Sequence, residues 1–247
     1  MLNEFIHKKF QRRAEQLEVI DNLYNDTTFS EYYRLIVEQD SLLENDLDIY
    51  KRYFDKTMPV LEIGSGTGRI FNPLFQAGYD VYGIEPFEEM SQYIDETGRD
   101  RIYPLTLQEV ESLPKNNIEV IIIPATSVSL FSLSDFEYFL ESIKRQQPFI
   151  KRIIFDFLKE DFFLDSMDSI QSYTLGLGKF YYVNFFDQSR EKIIYNLANS
   201  EKLGISVKYA YSHTSVKKLF EKLGIVFNVI SNSDCYTMVE GVFHEKE

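Results

Sequence analysis

Cysteine occurs once in the 247 residues, at Cys235, so no intrachain disulfide can form and no cysteine-rich metal site can be built. That excludes a small secreted domain that depends on disulfide staples. Basic clusters are missing too: no run of Lys or Arg exceeds two residues, and the formal net charge is −13. Such a surface repels a phosphate backbone and leaves no electrostatic footprint for nucleic acid, so no nucleic-acid partner is expected. No apolar run approaches the length of a membrane span, and the opening MLNEFIHKKFQRR lacks the apolar core of a signal peptide. A soluble, cytoplasmic protein without a membrane partner is the expectation. Histidine is scarce, with His7 and His244 near the ends and His213 between them. Repeats, low-complexity segments and linkers are absent.

What is present is a chain long enough for one α/β domain with a large core and an appendage. Residues 1–23 carry apolar positions at helical steps (Phe5, Ile6, Phe10, Leu17, Ile20, Leu23), and Ser30 can cap a helix that begins at Glu31. A further helix is expected over 42–54. From residue 60 strands and helices alternate: strands at 60–63, 80–84, 102–107, 119–123 and 153–157, helices at 68–76, 87–97 and 134–147, the last capped by Ser134. Such alternation implies a doubly wound parallel sheet with ligands at the carboxyl ends of its strands. After Leu158 the rhythm changes to three successive strands, 179–186, 192–199 and 203–211, joined by turns such as Asp187-Gln188-Ser189-Arg190. Ser212 then caps a helix closed by Gly224, and strands at 225–230 and 236–243 finish the chain.

Residues 60–70 read VLEIGSGTGRI. A short apolar run carries an acid at Glu62, and glycines follow at 64, 66 and 68, where backbone can turn sharply or approach a ligand without a Cβ in the way. A nicotinamide fold more often reads Gly-x-Gly-x-x-Gly with a pyrophosphate at the helix start. Glu85 ends the next strand, 21 positions after Gly64, where a carboxylate can accept both hydroxyls of a ribose.

These residues resemble the class I S-adenosylmethionine-dependent methyltransferases, whose first motif is acid-x-Gly-x-Gly-x-Gly at the end of strand one. Pro86 to Met90 resembles the family's turn into its second helix. QEVESLP, from Gln108, resembles the segment whose acid bonds the adenine amino group, which puts Glu109 and Val110 at the cofactor. IEVIIIPATSVSLF resembles the fourth strand and the loop of the transfer site, and RIIFDFLKEDFF the fifth strand, with Asp156. Over residues 60–158 the pieces occur in the family's order. The likeness to the glycine and sugar-amine N-methyltransferase branch extends to the variable caps.

The resemblance implies an α/β, doubly wound, Rossmann-like seven-stranded sheet with an N-terminal helical lid (1–56) and an inserted three-stranded antiparallel meander (159–211). The core then occupies 57–158 and 212–247. It implies S-adenosylmethionine as cofactor, S-adenosylhomocysteine as product and no metal, with cofactor contacts from Glu62, Gly64, Ser65, Gly66, Glu85, Pro86, Glu109, Val110 and Pro124. The acceptor is expected to be a small molecule, an amine-bearing metabolite being attractive beside an acidic surface, in a monomer or homodimer. Tyr24, Thr126, Ser127 and Ser129 are candidates for holding it, and His213 and Tyr33 are the candidate catalytic groups. The aromatic set Phe155, Phe157, Phe162, Phe163, Tyr181, Tyr182, Phe185 and Phe186 could stack on it. Pro124-Ala125-Thr126-Ser127 stands where adenine and amide-nitrogen enzymes carry an acid or Asn followed by Pro-Pro-aromatic, and Cys235 lies far from the place of a cytosine-C5 nucleophile. A protein methyltransferase, a non-catalytic S-adenosylmethionine-binding protein and a nicotinamide oxidoreductase are the rival readings.

Overall fold

The computed structural model describes residues 2–37, 46–159, 167–187 and 192–244. The chain opens with helix α1 (Lys8–Ala14), strand β1 (Glu18–Ile20), α2 (Thr27–Val37) and α3 (Asp46–Tyr50). Alternation then begins with β2 (Val60–Ile63), α4 (Phe71–Gln76), β3 (Val81–Ile84), α5 (Glu88–Ser91) and β4 (Ile102–Tyr103). It continues through β5 (Val120–Ile123), α6 (Leu133–Gln146) and β6 (Arg152–Leu158). Four strands follow without a helix between them: β7 (Gln171–Leu175), β8 (Gly178–Asp187), β9 (Lys192–Ala198) and β10 (Lys202–Lys208). Helix α7 (His213–Leu223), β11 (Ile225–Asn232) and β12 (Tyr236–Phe243) complete the fold.

Seven strands form the main sheet in the order β11-β12-β6-β5-β2-β3-β4. The five from β6 to β4 are parallel, and β12 and β11 join antiparallel at one side. The expected doubly wound, seven-stranded arrangement is present. Chain order reverses between β2 and β5, and a crevice forms at such a switch point because the following connections diverge to opposite faces. The sheet is buried on both sides, as the unbroken VIII of β5 requires. Ile121 and Ile123 face a cluster with Phe136 and Phe139 of α6 and Phe220 of α7, while Val120 and Ile122 face Phe71 and Leu74 of α4 and Tyr50 of α3.

The second sheet has five strands, β1-β10-β9-β8-β7, where three were expected. Its extra edges are β7 and β1, the latter pairing parallel with β10 at Glu18↔Lys202 through Ile20↔Gly204. Residues 18–20 therefore leave the helix expected over 1–23, because an open sheet edge satisfies their backbone groups and overrides local propensity. Helix α1 packs Ile6 and Phe10 on one face of this sheet against Val183 and Ile194, and α2 packs Phe29 and Tyr32 on the other against Phe180 and Leu197. The buried Asn196 of β9 stitches the terminus down, accepting from His7 N at 2.8 Å and donating to Phe5 O at 2.9 Å. Hydrophobic contacts thus unite most of the expected lid with the expected cap, while α3 sides with the main sheet.

Several caps differ from the sequence reading. Asp26, not Ser30, opens α2, accepting from Thr28 N and Phe29 N at 2.9 and 3.1 Å. Ser132, not Ser134, caps α6 by accepting from Asp135 N. Segment 87–97 supplies only the short α5, and a 3-10 turn over Glu96–Arg101 begins at Asp95. Of the helix expected over 42–54, residues 46–50 are helical and 42–45 lie outside the described residues. Part of the turn at Gln188-Ser189-Arg190 lies outside them as well. Ser212 and Gly224 cap α7 as expected, Gly224 with φ +64°.

Gly204 sets how closely α2 and its tyrosines approach the second sheet. A Cβ there would lie 2.7 Å from both Leu23 Cβ and Phe29 Cε2. Gly204→Val should therefore lower stability by about 1–3 kcal/mol, read from urea unfolding. An unchanged midpoint would contradict the packing described.

Candidate functional site

Where β2 ends, the chain turns through Gly64 and Gly66, both in the left-handed region with φ +71° and +52°. An L side chain is strained there and would also intrude, since a Cβ on Gly64 would lie 3.3 Å from Ser127 Oγ and one on Gly66 3.4 Å from Met90 Cε. Gly64 N and Ser65 N both donate to Ile84 O, which ties the turn to the end of β3. Glu85 follows Ile84 and holds the turn from the other side, accepting from Gly66 N at 2.9 Å and from Phe87 N at 3.1 Å. Across the switch point, β5 ends in Pro124-Ala125-Thr126-Ser127, and Ala125 and Thr126 have φ +54° and +56°. Two consecutive non-glycine residues in that region are costly, and such strain gathers at functional loops. Asp156 of β6 holds them, its Oδ2 accepting from Thr126 N at 2.8 Å and its Oδ1 from Tyr50 Oη at 3.1 Å.

Three buried carboxylates converge here. Burial pushes Glu62 up to about 8 despite the opposing pull of Arg69, and its Oε2 has no hydrogen-bond partner among the described residues. Burial likewise raises Glu85 to about 7 against the pull of the Phe87 and Gly66 amides, and Asp156 to about 7 against its bonds from Thr126 and Tyr50. Arg69 is bound bidentately to Asp46 at 2.7 and 2.5 Å, with Asp46 4% exposed. The surplus of acid in a dry site favours a cationic ligand. Among the described residues no group of three His, Cys, Asp or Glu side chains could hold a metal ion.

Three hollows meet at Gly64 and Ser127. A slot of about 310 Å³ runs from Glu85 and Pro86 along Thr106, Leu107 and Gln108 beneath Ser206 of β10. A small recess of about 20 Å³ lies among Glu62, Ser65, Arg69, Pro124 and Tyr33. The third is a chamber of about 570 Å³ between the strand ends and the second sheet, bordered by Gly66, Glu85, Thr126, Ser127, Ser129 and Asp156. Its roof follows the two-residue period of strands: Tyr173, Tyr182, Tyr195 and Lys208 line it from β7, β8, β9 and β10, with Tyr24, Tyr32 and Tyr33 at the side. Burial holds the Tyr24 phenol up at about 12, with the nearby Glu85 charge adding to it and a bond to Ser206 opposing it; burial and neighbouring Tyr24 raise Tyr33 further.

The structure brings together most of the residues singled out in the sequence. Glu62, Gly64, Ser65, Gly66, Glu85, Pro86 and Pro124 surround the slot and recess, and Tyr24, Tyr33, Thr126, Ser127 and Ser129 border the chamber. Three do not belong. Exposed His213 lies outside all three hollows, with its ring 4.9 Å from that of Phe227 on the far strand β11. The carboxylate of Glu109 is used in a capping box with Thr106, accepting from its N and Oγ1 at 2.9 and 2.8 Å. Val110 is wholly buried in the main core, so Thr106, Leu107 and Gln108 line the slot instead. Of the aromatic set only Tyr182 lines the chamber; Phe155 and Phe157 are core, Tyr181 and Phe185 pack on the sheet's other face, and Phe186 is exposed. Phe162 and Phe163 lie outside the described residues. Sequence reasoning did not bring out Asp46, Arg69, Tyr195 or Lys208, because only the tertiary fold carries these distant positions to the site.

The carboxylates have a consequence for pH. Glu62, Glu85 and Asp156 keep protons in the folded chain up to about 8, about 7 and about 7, against ordinary values of 4.5, 4.5 and 3.8. Between those limits the folded state binds more protons than the unfolded one, so this contribution is complete below about pH 4 and is lost as pH rises through 8. The ligand-free protein should lose unfolding free energy across that window, and Glu62→Gln should flatten the loss. Denaturant titrations over a pH series would show it; an identical slope in the variant would contradict the assignment.

Residues 61–146 match the family model described as a methyltransferase domain. No curated protein matches the chain in sequence. Among solved structures, an S-adenosylmethionine-dependent methyltransferase from Clostridium acetobutylicum is similar at TM-score 0.63 and 14% identity, covering 90% of this chain and 99% of that one. The CcbJ methyltransferase from Streptomyces caelestis gives 0.63 and 13%, covering 80% and 94%. The sugar N-methyltransferase KedS8 from a Streptoalloteichus species gives 0.60 and 12%, covering 85% and 92%. At these identities the likenesses show the fold alone, and the domain match is confined to residues 61–146. Residues 61–146 thus match a methyltransferase domain, set in a fold that is similar to S-adenosylmethionine-dependent methyltransferases.

Proposed function

We propose that the protein transfers the methyl group of S-adenosylmethionine to a nitrogen or oxygen of a small-molecule acceptor held in the tyrosine-lined chamber. The observation that carries this is the chamber itself: about 570 Å³ of space opening from the glycine turn and roofed by side chains of a second sheet. A roofed compartment suits a small acceptor better than a protein segment. The sugar N-methyltransferase similar in fold supports the same reading.

The residues present fit the cofactor. Gly64 and Gly66 leave a cradle that a Cβ would fill, and the unpartnered Glu62 Oε2 is a buried acceptor next to the recess, suited to a cationic group. Glu85 uses one bond per oxygen on backbone amides and keeps lone pairs for paired hydroxyls. Pro86, Thr106, Leu107 and Gln108 form a slot for a planar ring. Ser65 and Pro124 close the recess.

When bound, S-adenosylmethionine supplies a methyl group already activated by its sulfonium. The protein then has to align an acceptor lone pair and exclude water. Thr126, Ser127 and Ser129 can orient the acceptor, and Tyr24 and Tyr33 close the side of the chamber. With its pKa pushed up, Tyr33 serves as a hydrogen-bond donor and wall and does not act as a base. Asp156 borders the chamber with a pKa near neutrality, so it can take the proton that an amine or hydroxyl releases.

Calorimetric titration with S-adenosylmethionine and S-adenosylhomocysteine, with NADH as control, tests the reading. Binding of the two sulfur nucleosides alone is expected. Gly66→Val should abolish that binding while far-ultraviolet circular dichroism stays unchanged, because the substitution fills the cradle and its strain is confined to one turn outside the strands and helices. Retained binding in the variant, or a preference for NADH, would refute the proposal.

A further inference from the structure

Lys208 ends β10 on the chamber wall, where an aromatic ring is the contact shown for its charge. Its Nζ sits 5.0 Å from the centre of the Tyr195 ring, and among the described residues no carboxylate pairs with it. Tyr195 is half-buried and hydrogen-bonded to Tyr32. The ammonium lies against that phenol ring, and burial pulls its pKa down to about 8. A lysine kept only for packing could be replaced by Met or Leu and spare this cost. An unpaired cation facing a cavity is a recognition group.

The chamber is also polarised. Glu85 and Asp156 border it at the strand ends of the main sheet, and Lys208 borders it from the second sheet. The position of Lys208 is well defined: the next residue, Tyr209, donates from its N to Ser129 O at 2.7 Å, fastening the end of β10 to the loop after β5. Ser206, two residues earlier on the same face, is held by Tyr24. One end of the chamber thus suits the reacting amine or hydroxyl, and the other suits negative charge.

We propose that Lys208 is a specificity-determining residue that binds an anionic group, a carboxylate or a phosphate, on the methyl acceptor. The acceptor is then a small acid that carries its nucleophilic nitrogen or oxygen at the opposite end. This rests on the reading of the chamber as the acceptor site. The Tyr195 ring borders the ammonium and limits the directions from which an anion can approach it.

The test titrates 4-aminobenzoate, 3-phenylpropionate and phenyl phosphate, each beside a neutral counterpart (4-aminobenzamide, 3-phenylpropionamide and phenol), into the full chain with and without S-adenosylhomocysteine. At least one acid should bind about tenfold more tightly than its neutral partner, the scale of one charge-assisted hydrogen bond. Lys208→Met should erase that preference and leave S-adenosylhomocysteine affinity unchanged, which also shows that the variant folds. Lys208→Arg should keep part of it. Stronger response to phenyl phosphate than to the carboxylates would assign the anion as phosphate, and the reverse as carboxylate. No binding by any acid, no preference for acids, or a preference that survives Lys208→Met would overturn the proposal. Loss of S-adenosylhomocysteine binding in the unaltered protein would instead sink the cofactor reading, and the anion preference would still be decided by the titrations made without it.

Discussion

The Glu85 carboxylate is the junction on which the site depends. Its two oxygens take the amides of Gly66 and Phe87, so one side chain fastens the turn after β2 to the connection after β3. Both turns stand at the carboxyl ends of parallel strands, where the carboxylate adds to the few backbone bonds that Gly64, Ser65 and Glu85 still make to neighbouring strands. The left-handed backbone at Gly64 and Gly66 is tolerable because glycine has no Cβ, and it is held in one shape because an ionisable acid is buried against it. The protein keeps that acid in a dry place, where its charged form is disfavoured.

A second anchor mirrors the first. Asp156 rises from β6 to hold the strained Ala125-Thr126 pair after β5, and Tyr50 of α3 completes its bonds. The crevice between β2 and β5 is thus framed by two carboxylates that each bind backbone amide, with the unpartnered Glu62 oxygen beneath. Held in place by the fold, these groups need no reorganisation to face a bound cation, whose charge would favour their ionised forms.

The second sheet converts a crevice into a compartment. Alternation along β8, β9 and β10 sends one set of side chains toward α1 and the other toward the main sheet, and the inward set is rich in tyrosine and ends in Lys208. The N-terminal segment contributes to both faces, so the chain's first thirty-seven residues belong to the same packing as strands far along it. Closing the chamber therefore depends on contacts such as Gly204 against Leu23 and Phe29, which line it.

The sequence by itself determined the sheet and the glycine-turn end of the candidate site. An apolar run buried on both faces, an acid-flanked glycine turn and Glu85 are local patterns, and their order along the chain specifies their order in a doubly wound sheet. It also exposed the caps Ser212 and Gly224, because capping is a matter of neighbouring residues. The sequence was silent where pairing is non-local. Residues 18–20 look helical until the edge of β10 is there to receive them. Glu109 matched a binding position, yet Thr106 three residues earlier claims its carboxylate. His213 sits at a helix start that the fold carries away from the chamber. Arg69, Asp46 and Lys208 gain their meaning only from partners, or a lack of them, set by tertiary packing, since electrostatic environment is a property of what surrounds a side chain in space and not of its neighbours in the chain.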